Sequence, residues 1–156
     1  MVKSQENIKF SFVLEPRFWD MPPTIKILVD QDVMFDGVVD QPCQLIEFDA
    51  TMLAGKHKLT IQRYGKTIDQ TVNEKDQLLL IKQIEIDGIN IQNIVWSSSL
   101  FYPEYPEPWA SQQQAAGINL EYPVLGETFL GHNGSWEIEF TSPFYQFLIN
   151  QIRITQ

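Results

Sequence analysis

One cysteine, two histidines and eleven basic residues in a chain of 156 set the first limits on what this sequence can do. Cys43 alone cannot make an internal disulfide, and with no CxxC and no adjacent base it reads as a buried, inert thiol. His57 and His132 stand far apart with no His-x-x-x-His spacing, so no zinc signature is present. Eleven Lys and Arg against twenty Asp and Glu leave a net charge of −9, which repels a phosphate backbone and an anionic bilayer. Neither a nucleic-acid nor a membrane partner is expected. No run approaches the roughly 18 apolar residues of a membrane span, and residues 1–7 lack the apolar stretch of a secretory signal. A Gly-rich phosphate loop, a GxSxG elbow and an EF-hand loop are missing as well.

What is present is the apolar content of one globular domain spanning 1–156: 44% hydrophobic and 12% aromatic residues. A domain of this length removes roughly 68–70% of its unfolded surface from water, enough to hold together without metal or disulfide. Ile8, Phe10, Phe12 and Leu14 alternate with mostly polar neighbours, the period of a half-buried strand. Further strands are expected at 24–30, 33–35, 44–49, 57–64 and 77–87, with short pieces at 70–72, 89–91 and 94–96. Turns are expected at Gln31-Asp32 and at Asp36-Gly37. In the strand at 57–64, Leu59, Ile61 and Arg63 share a face with His57. Asn133-Gly134 between two alternating runs predicts a type I′ hairpin. Ser142-Pro143 predicts a helix N-terminus, with Phe144, Phe147, Leu148 and Ile152 at helical spacing. The fold class expected is all-β: an antiparallel sandwich of jelly-roll type, with core strands about 6–96 and 127–141 and a helix at 142–152.

Residues 97–126 differ in character, carrying Pro103, Pro106, Pro108 and Pro123 among five aromatics. Proline removes a ladder donor, so this stretch reads as an ordered arm across the surface and not as a central strand. Tyr102, Tyr105, Trp109 and Tyr122 are the candidate contact residues. Such rings stack on sugar faces, bury large areas at protein interfaces, or close one end of a sandwich as satellite core. Glu85-Ile86-Asp87 and Glu137-Ile138-Glu139 each put two carboxylates on one strand face. That pattern fits either the solvent face of a half-buried strand or a small jelly-roll glycosidase using Glu137 or Glu139. The residues themselves call for no cofactor.

Residues 24–93 resemble the small β-sandwich carbohydrate-binding modules of the calcium-dependent xylan-binding type. The likeness lies in Ile25-Lys26-Ile27-Leu28-Val29-Asp30, in Gly55-Lys56-His57-Lys58-Leu59-Thr60-Ile61, and in Asp76-Gln77-Leu78-Leu79-Leu80-Ile81 leading to Ile84-Glu85-Ile86-Asp87-Gly88. Calcium and glycans enter as what this resemblance implies; of the family's metal loop only the terminal acid, Asp76, is matched. The whole chain is similar to virion proteins of tailed phages of the myophage type, through Trp96, Pro103-Glu104-Tyr105-Pro106-Glu107-Pro108, Asn133-Gly134-Ser135-Trp136 and Ser142-Pro143-Phe144-Tyr145. That likeness implies a non-enzymatic structural, decoration or fibre role in the virion, assembled in the host cytoplasm. It also implies other virion proteins, or further copies of the chain, as partners. The alternative is a glycan-binding module for attachment to the host surface.

Overall fold

The computed structural model describes residues 4–67, 71 and 75–155. The first alternating run forms β1 (Gln5–Arg17), with Ile8, Phe10, Phe12 and Leu14 fully buried. β2 (Thr24–Val29), β3 (Asp32–Val38), β4 (Gln44–Leu53), β5 (Gly55–Tyr64) and β6 (Leu78–Ile86) follow the sequence pattern. β3 runs straight through Asp36-Gly37, so no turn forms there. The β2–β3 reversal lies at Asp30 and Gln31, where Asp30 takes a φ of 55°. Of the short strand expected at 70–72, residues 70 and 72 lie outside the described residues, and Thr71 is in no strand.

After β7 (Ile89–Asn90) the chain departs from expectation. Residues 94–96 belong to a helix, α1 (Gln92–Ser98), because Ile91, Ile94 and Val95 recur at i, i+3 and i+4 and bury one helical face. The side-chain Oδ1 of Asn90 accepts the Gln92 N–H at 2.8 Å, satisfying an end donor of that helix. The arm is structured too: β8 (Leu100–Pro103), α2 (Trp109–Ala115) and β9 (Val124–Leu125). β10 (Phe129–Leu130), β11 (Gly134–Ser142) and α3 (Phe144–Thr155) complete the order.

Two sheets result, antiparallel in every pairing. Sheet A has the order β10-β6-β1-β4 with β7 also on β6, and sheet B the order β3-β2-β5-β11-β8-β9. The expected hairpin at Asn133-Gly134 is absent, because β10 pairs with β6 in sheet A while β11 pairs with β5 and β8 in sheet B. The link between β10 and β11 crosses from one sheet to the other. β8 lies one strand in from the edge of sheet B, which its proline tolerates because Pro103 is the last residue of the strand.

The inner faces meet in a single apolar core. Phe10 of β1 stacks on Phe48 of β4 at 5.2 Å and meets Phe140 of β11 edge-on at 5.9 Å, joining the sheets. Each such buried side chain contributes about 1.5–3 kcal/mol by leaving water. α3 docks through Phe144 and Phe147, and its start is capped from across the chain. Glu6 Oε1 accepts both the Phe144 N–H at 2.7 Å and the Ser142 hydroxyl at 2.6 Å, so Glu6 does the capping expected of Ser142. Cys43, expected to be buried, is exposed just ahead of β4. No helix among the described residues is long and apolar enough to cross a membrane.

At the end of the sandwich where β5 begins, His57 offers Nδ1 to Asp30 Oδ2 at 2.8 Å and Nε2 to the Leu53 carbonyl at 2.6 Å. With acceptors at both nitrogens, the protonated ring satisfies both bonds and a neutral ring only one. Burial pulls its pKa down, but the bonds to Leu53 and Asp30 and the charges of Asp30 and Glu6 outweigh burial and raise it. A raised folded-state pKa stabilises fully below the unfolded value and is lost as pH rises through the folded one. His132 has the opposite sign: burial first, then Lys66, lowers its pKa, so its contribution is present above the unfolded value and is lost as pH falls from there through the folded one. The two histidines therefore partly cancel near neutrality. We expect His57→Gln to remove stability at pH 6 and progressively less of it toward pH 8, read as urea midpoints of variant and wild type at each pH. A wild-type-minus-variant difference that is flat over that range contradicts the assignment.

Candidate functional site

The outer face of sheet B is built by alternation. Along β5 the inward residues are Leu59, Ile61 and Arg63, leaving Lys58, Thr60, Gln62 and Tyr64 outward; along β11 Trp136, Ile138 and Phe140 point in, leaving Ser135, Glu137 and Glu139 out. Register then sets the rows. Tyr102, Ser135, Gln62, Lys26 and Asp36 lie side by side across five strands, and Leu100, Glu137, Thr60 and Leu28 form the next row. Over β8 and β11 this face is sunk into a groove of about 380 Å³. Leu100, Tyr102, Glu137 and Glu139 form its floor, with Phe147 and Gln151 of α3 as one wall.

The groove mixes an aromatic ring with groups that bond hydroxyls. Lys58 Nζ lies 3.4 Å from Glu137 Oε2, an ion pair on an open face that orients both side chains and contributes little to stability. Tyr122, 65% exposed, meets Tyr102 edge-on with centroids 5.7 Å apart. Farther across the same face the Tyr64 hydroxyl donates to Asp36 Oδ1 at 2.6 Å, a bond that raises the Tyr64 pKa. Lys26 Nζ lies 5.6 Å from the Tyr64 ring centroid.

The four candidate aromatics thus separate into two pairs. Tyr102 and Tyr122 belong to the groove and its rim. Tyr105 and Trp109 lie at the end of the sandwich where β11 begins, in a cluster with His132: 6.0 Å between Tyr105 and Trp109, 5.1 Å from Tyr105 to His132, and 5.2 Å from Trp109 to His132. The Tyr105 hydroxyl donates to the Glu121 carbonyl at 2.5 Å, tying the α2 segment down. In this second pair Tyr105 is half-buried and Trp109 stays exposed. Glu137 and Glu139, read from the sequence as solvent face or glycosidase residues, are both brought to the groove. Gln151 and Phe147 carried no signal in the sequence that would join them to Tyr102.

Asp76, the one match to a calcium loop, has its Oδ1 engaged by cationic and neutral donors: Lys66 Nζ at 2.6 Å, the Thr71 hydroxyl at 2.6 Å and the Gln77 N–H at 2.7 Å. Burial raises its pKa, and these bonds outweigh burial and lower it. The ammonium stands where a cation ligated by that oxygen would stand, so Asp76 as arranged does not fit the role. Among the described residues no three acidic, histidine or cysteine side chains converge as a metal cage.

No protein-family model matches the sequence, and no curated protein does. Solved structures do. The chain is similar to the selenomethionine form of vCBM60, from work on circular permutation as a link between two families of calcium-dependent carbohydrate-binding modules. The TM-score is 0.51 at 10% identity, over 84% of this chain and 89% of that one. It is also similar to vCBM60 in complex with galactobiose, again with a TM-score of 0.51 and 10% identity, over 85% and 97% of the two chains. At that identity the likeness is one of fold: this chain has the β-sandwich architecture seen in a carbohydrate-binding module.

Proposed function

We propose that the chain is a non-catalytic glycan-binding module whose site is the groove over β8 and β11. The observation that carries this reading is the floor itself: the Tyr102 ring beside Glu137 and Glu139 at the foot of α3. An aromatic face takes the apolar side of a sugar ring, and the carboxylates and Gln151 bond its hydroxyls. From Tyr102 to Tyr64 the strand spacing gives about 12 Å, the reach of a short oligosaccharide. The fold likeness to a module solved with galactobiose supports the same ligand class.

The placement of the carboxylates supports binding without cleavage. Glu137 and Glu139 are two apart on one strand and lie on the same side of any ligand, whereas glycoside hydrolysis needs two carboxyls flanking the scissile bond. Glu137 is also held to Lys58. The resemblance to tailed-phage virion proteins supports a module carried on a particle for attachment to a host-surface glycan. Its detection in purified virions by mass spectrometry tests that part.

Galactobiose and a glycan array, each with calcium and with a chelator, test the groove. Tyr102→Ala is expected to weaken binding about tenfold or more, a loss above about 1.4 kcal/mol. The partly exposed position leaves the fold intact. Equal binding by wild type and Tyr102→Ala, or no binding to any glycan in either condition, overturns the proposal.

A further inference from the structure

Ten-residue β4 forms one edge of sheet A: β1 lies on one side, and among the described residues no strand lies on the other. The direction of its main-chain groups follows from register. Asp87 N–H donates to the Lys9 carbonyl at 2.8 Å, so the main chain of Lys9 turns toward β6 and away from β4. Its β4 partner Asp49 therefore sits in a non-hydrogen-bonded pair, with its own N–H and C=O aimed at the open edge. The same alternation aims Leu45, Glu47, Thr51 and Leu53 outward, and the Leu53 carbonyl accepts His57 Nε2 there, which agrees. The register with β1 has no bulge, and the strand has no proline.

Beside this edge, between β4 and β3 of the other sheet, lies a second groove of about 380 Å³. Met34, Ala50 and Met52 give it an apolar lining; Asp32 and Asp49 stand at its rim, and His57 closes one end. Natural sheets blunt a free edge of this length with bulges, proline or charge. Here only charge is used, and it is of one sign: Glu47 and Asp49 on the outward face, with Lys9 Nζ 3.3 Å from Glu47. An antiparallel second copy would set Glu47 and Asp49 against their own kind, which is repulsive.

We propose that this edge takes an extended, basic segment of a partner polypeptide as a further strand of sheet A. Alternate side chains of that segment are apolar and enter the groove over Met34, Ala50 and Met52. The intervening ones are Lys or Arg and lie beside Glu47 and Asp49. The surface is separate from the glycan groove on sheet B, and neither proposal depends on the other.

Cys43 supplies the probe, being exposed, the sole cysteine and immediately ahead of β4. The full chain labelled there with an environment-sensitive fluorophore is titrated with an eight-residue Lys-Val alternating peptide, its Glu-Val counterpart, and Lys-Val peptides N-methylated at alternate residues. The Lys-Val peptide is expected to give a saturable change. N-methylation, the double variant Asp32→Lys/Asp49→Lys, or about 0.5 M salt should each weaken it about tenfold. The exposed positions of both aspartates keep that variant folded, which circular dichroism checks. No response to the Lys-Val peptide, equal binding of Glu-Val or N-methylated peptides, or self-association of the labelled chain blocked by the double variant each overturns the proposal.

Discussion

Replacing Arg63 by alanine is expected to destabilise the fold by about 3–5 kcal/mol, from buried acceptors left unbonded plus a cavity. Arg63 is 1% exposed, on the inward face of β5. Its Nη1 donates to the Leu130 carbonyl at 2.5 Å, and Nη2 donates to the Gln77 carbonyl at 2.6 Å and to Gln77 Oε1 at 2.7 Å. One side chain from sheet B thereby satisfies acceptors at the start of β6 and at β10, both of sheet A. Burial lowers the guanidinium pKa to about 10, partly countered by Asp76, so it remains charged at neutral pH. Alanine strands those carbonyls away from water and leaves a cavity in the same place. Methionine fills the space but still orphans the acceptors, so Arg63→Met should fall between wild type and Arg63→Ala. For a urea slope of about 2 kcal/mol/M, the alanine midpoint drops by about 2 M. Coincident midpoints for wild type and Arg63→Ala would show that the bonds contribute nothing net. The orphaned Nε is a cost already present in the native protein, and it makes a near-neutral Arg63→Met the result to watch.

Gly134→Ala is the second large effect, expected to cost about 3 kcal/mol from left-handed strain plus collision. Gly134 has a φ of +146°, and a Cβ there would fall well inside 3.0 Å of the Tyr102 carbonyl oxygen. That oxygen is backbone of β8 and cannot swing aside as a side chain could. β8 must move, and Tyr102 moves with it, so glycan binding in the groove should weaken together with stability. At this chain length the loss corresponds to a melting temperature lower by about 6–12 °C. Gly131→Ala, three residues earlier, is the control. Its Cβ would meet only the Phe129 and Leu78 side chains, at 3.5 Å or more, so near-wild-type melting and binding are expected. Equal melting temperatures for Gly134→Ala and Gly131→Ala would contradict the close-approach argument.

Glycine at position 134 also shows how one residue signal admits two structures. Asn-Gly between alternating runs usually marks a hairpin because both residues accept positive φ. Here Asn133 uses its side chain to pin residue 66, Oδ1 accepting the Lys66 N–H and Nδ2 donating to the Lys66 carbonyl, each at 2.9 Å. Its glycine neighbour admits β8. Nothing local distinguishes this from a turn, since the partners lie 67 and 32 residues away. Strands with strict alternation, such as β1 and β11, were legible because one buried face imposes period two. Ile94-Val95-Trp96 was not, because three adjacent apolar residues fit a short strand or one helical turn equally. The helix wins there through the Asn90 bond and the buried Ile91, Ile94 and Val95, with Trp96 left 59% exposed.

The candidate site was half visible. Alternation alone put Glu137 and Glu139 on one face, and ring chemistry picked out Tyr102 and Tyr122. Composition gave no means of separating these from Tyr105 and Trp109, whose proline-bound context is the same. The separation is topological: β8 carries Tyr102 into sheet B beside Ser135, and the chain then leaves for α2. Gln151 of α3 joins the groove because Phe144 and Phe147 fix the helix against β11, a contact no spacing rule foretells.

β11 is last in chain order among the strands yet sits in the interior of sheet B, between β5 and β8. A nascent chain emerging from the ribosome can form the β2–β3 hairpin early, but β5 and β8 stay unjoined until β11 slots between them. Such distant pairing makes for slow folding. The groove floor is shared by β8 and β11, so the groove is completed in the same step as the sheet. The glycan binding proposed for the groove would then report finished folding, since a partly synthesised chain lacks the floor of that site.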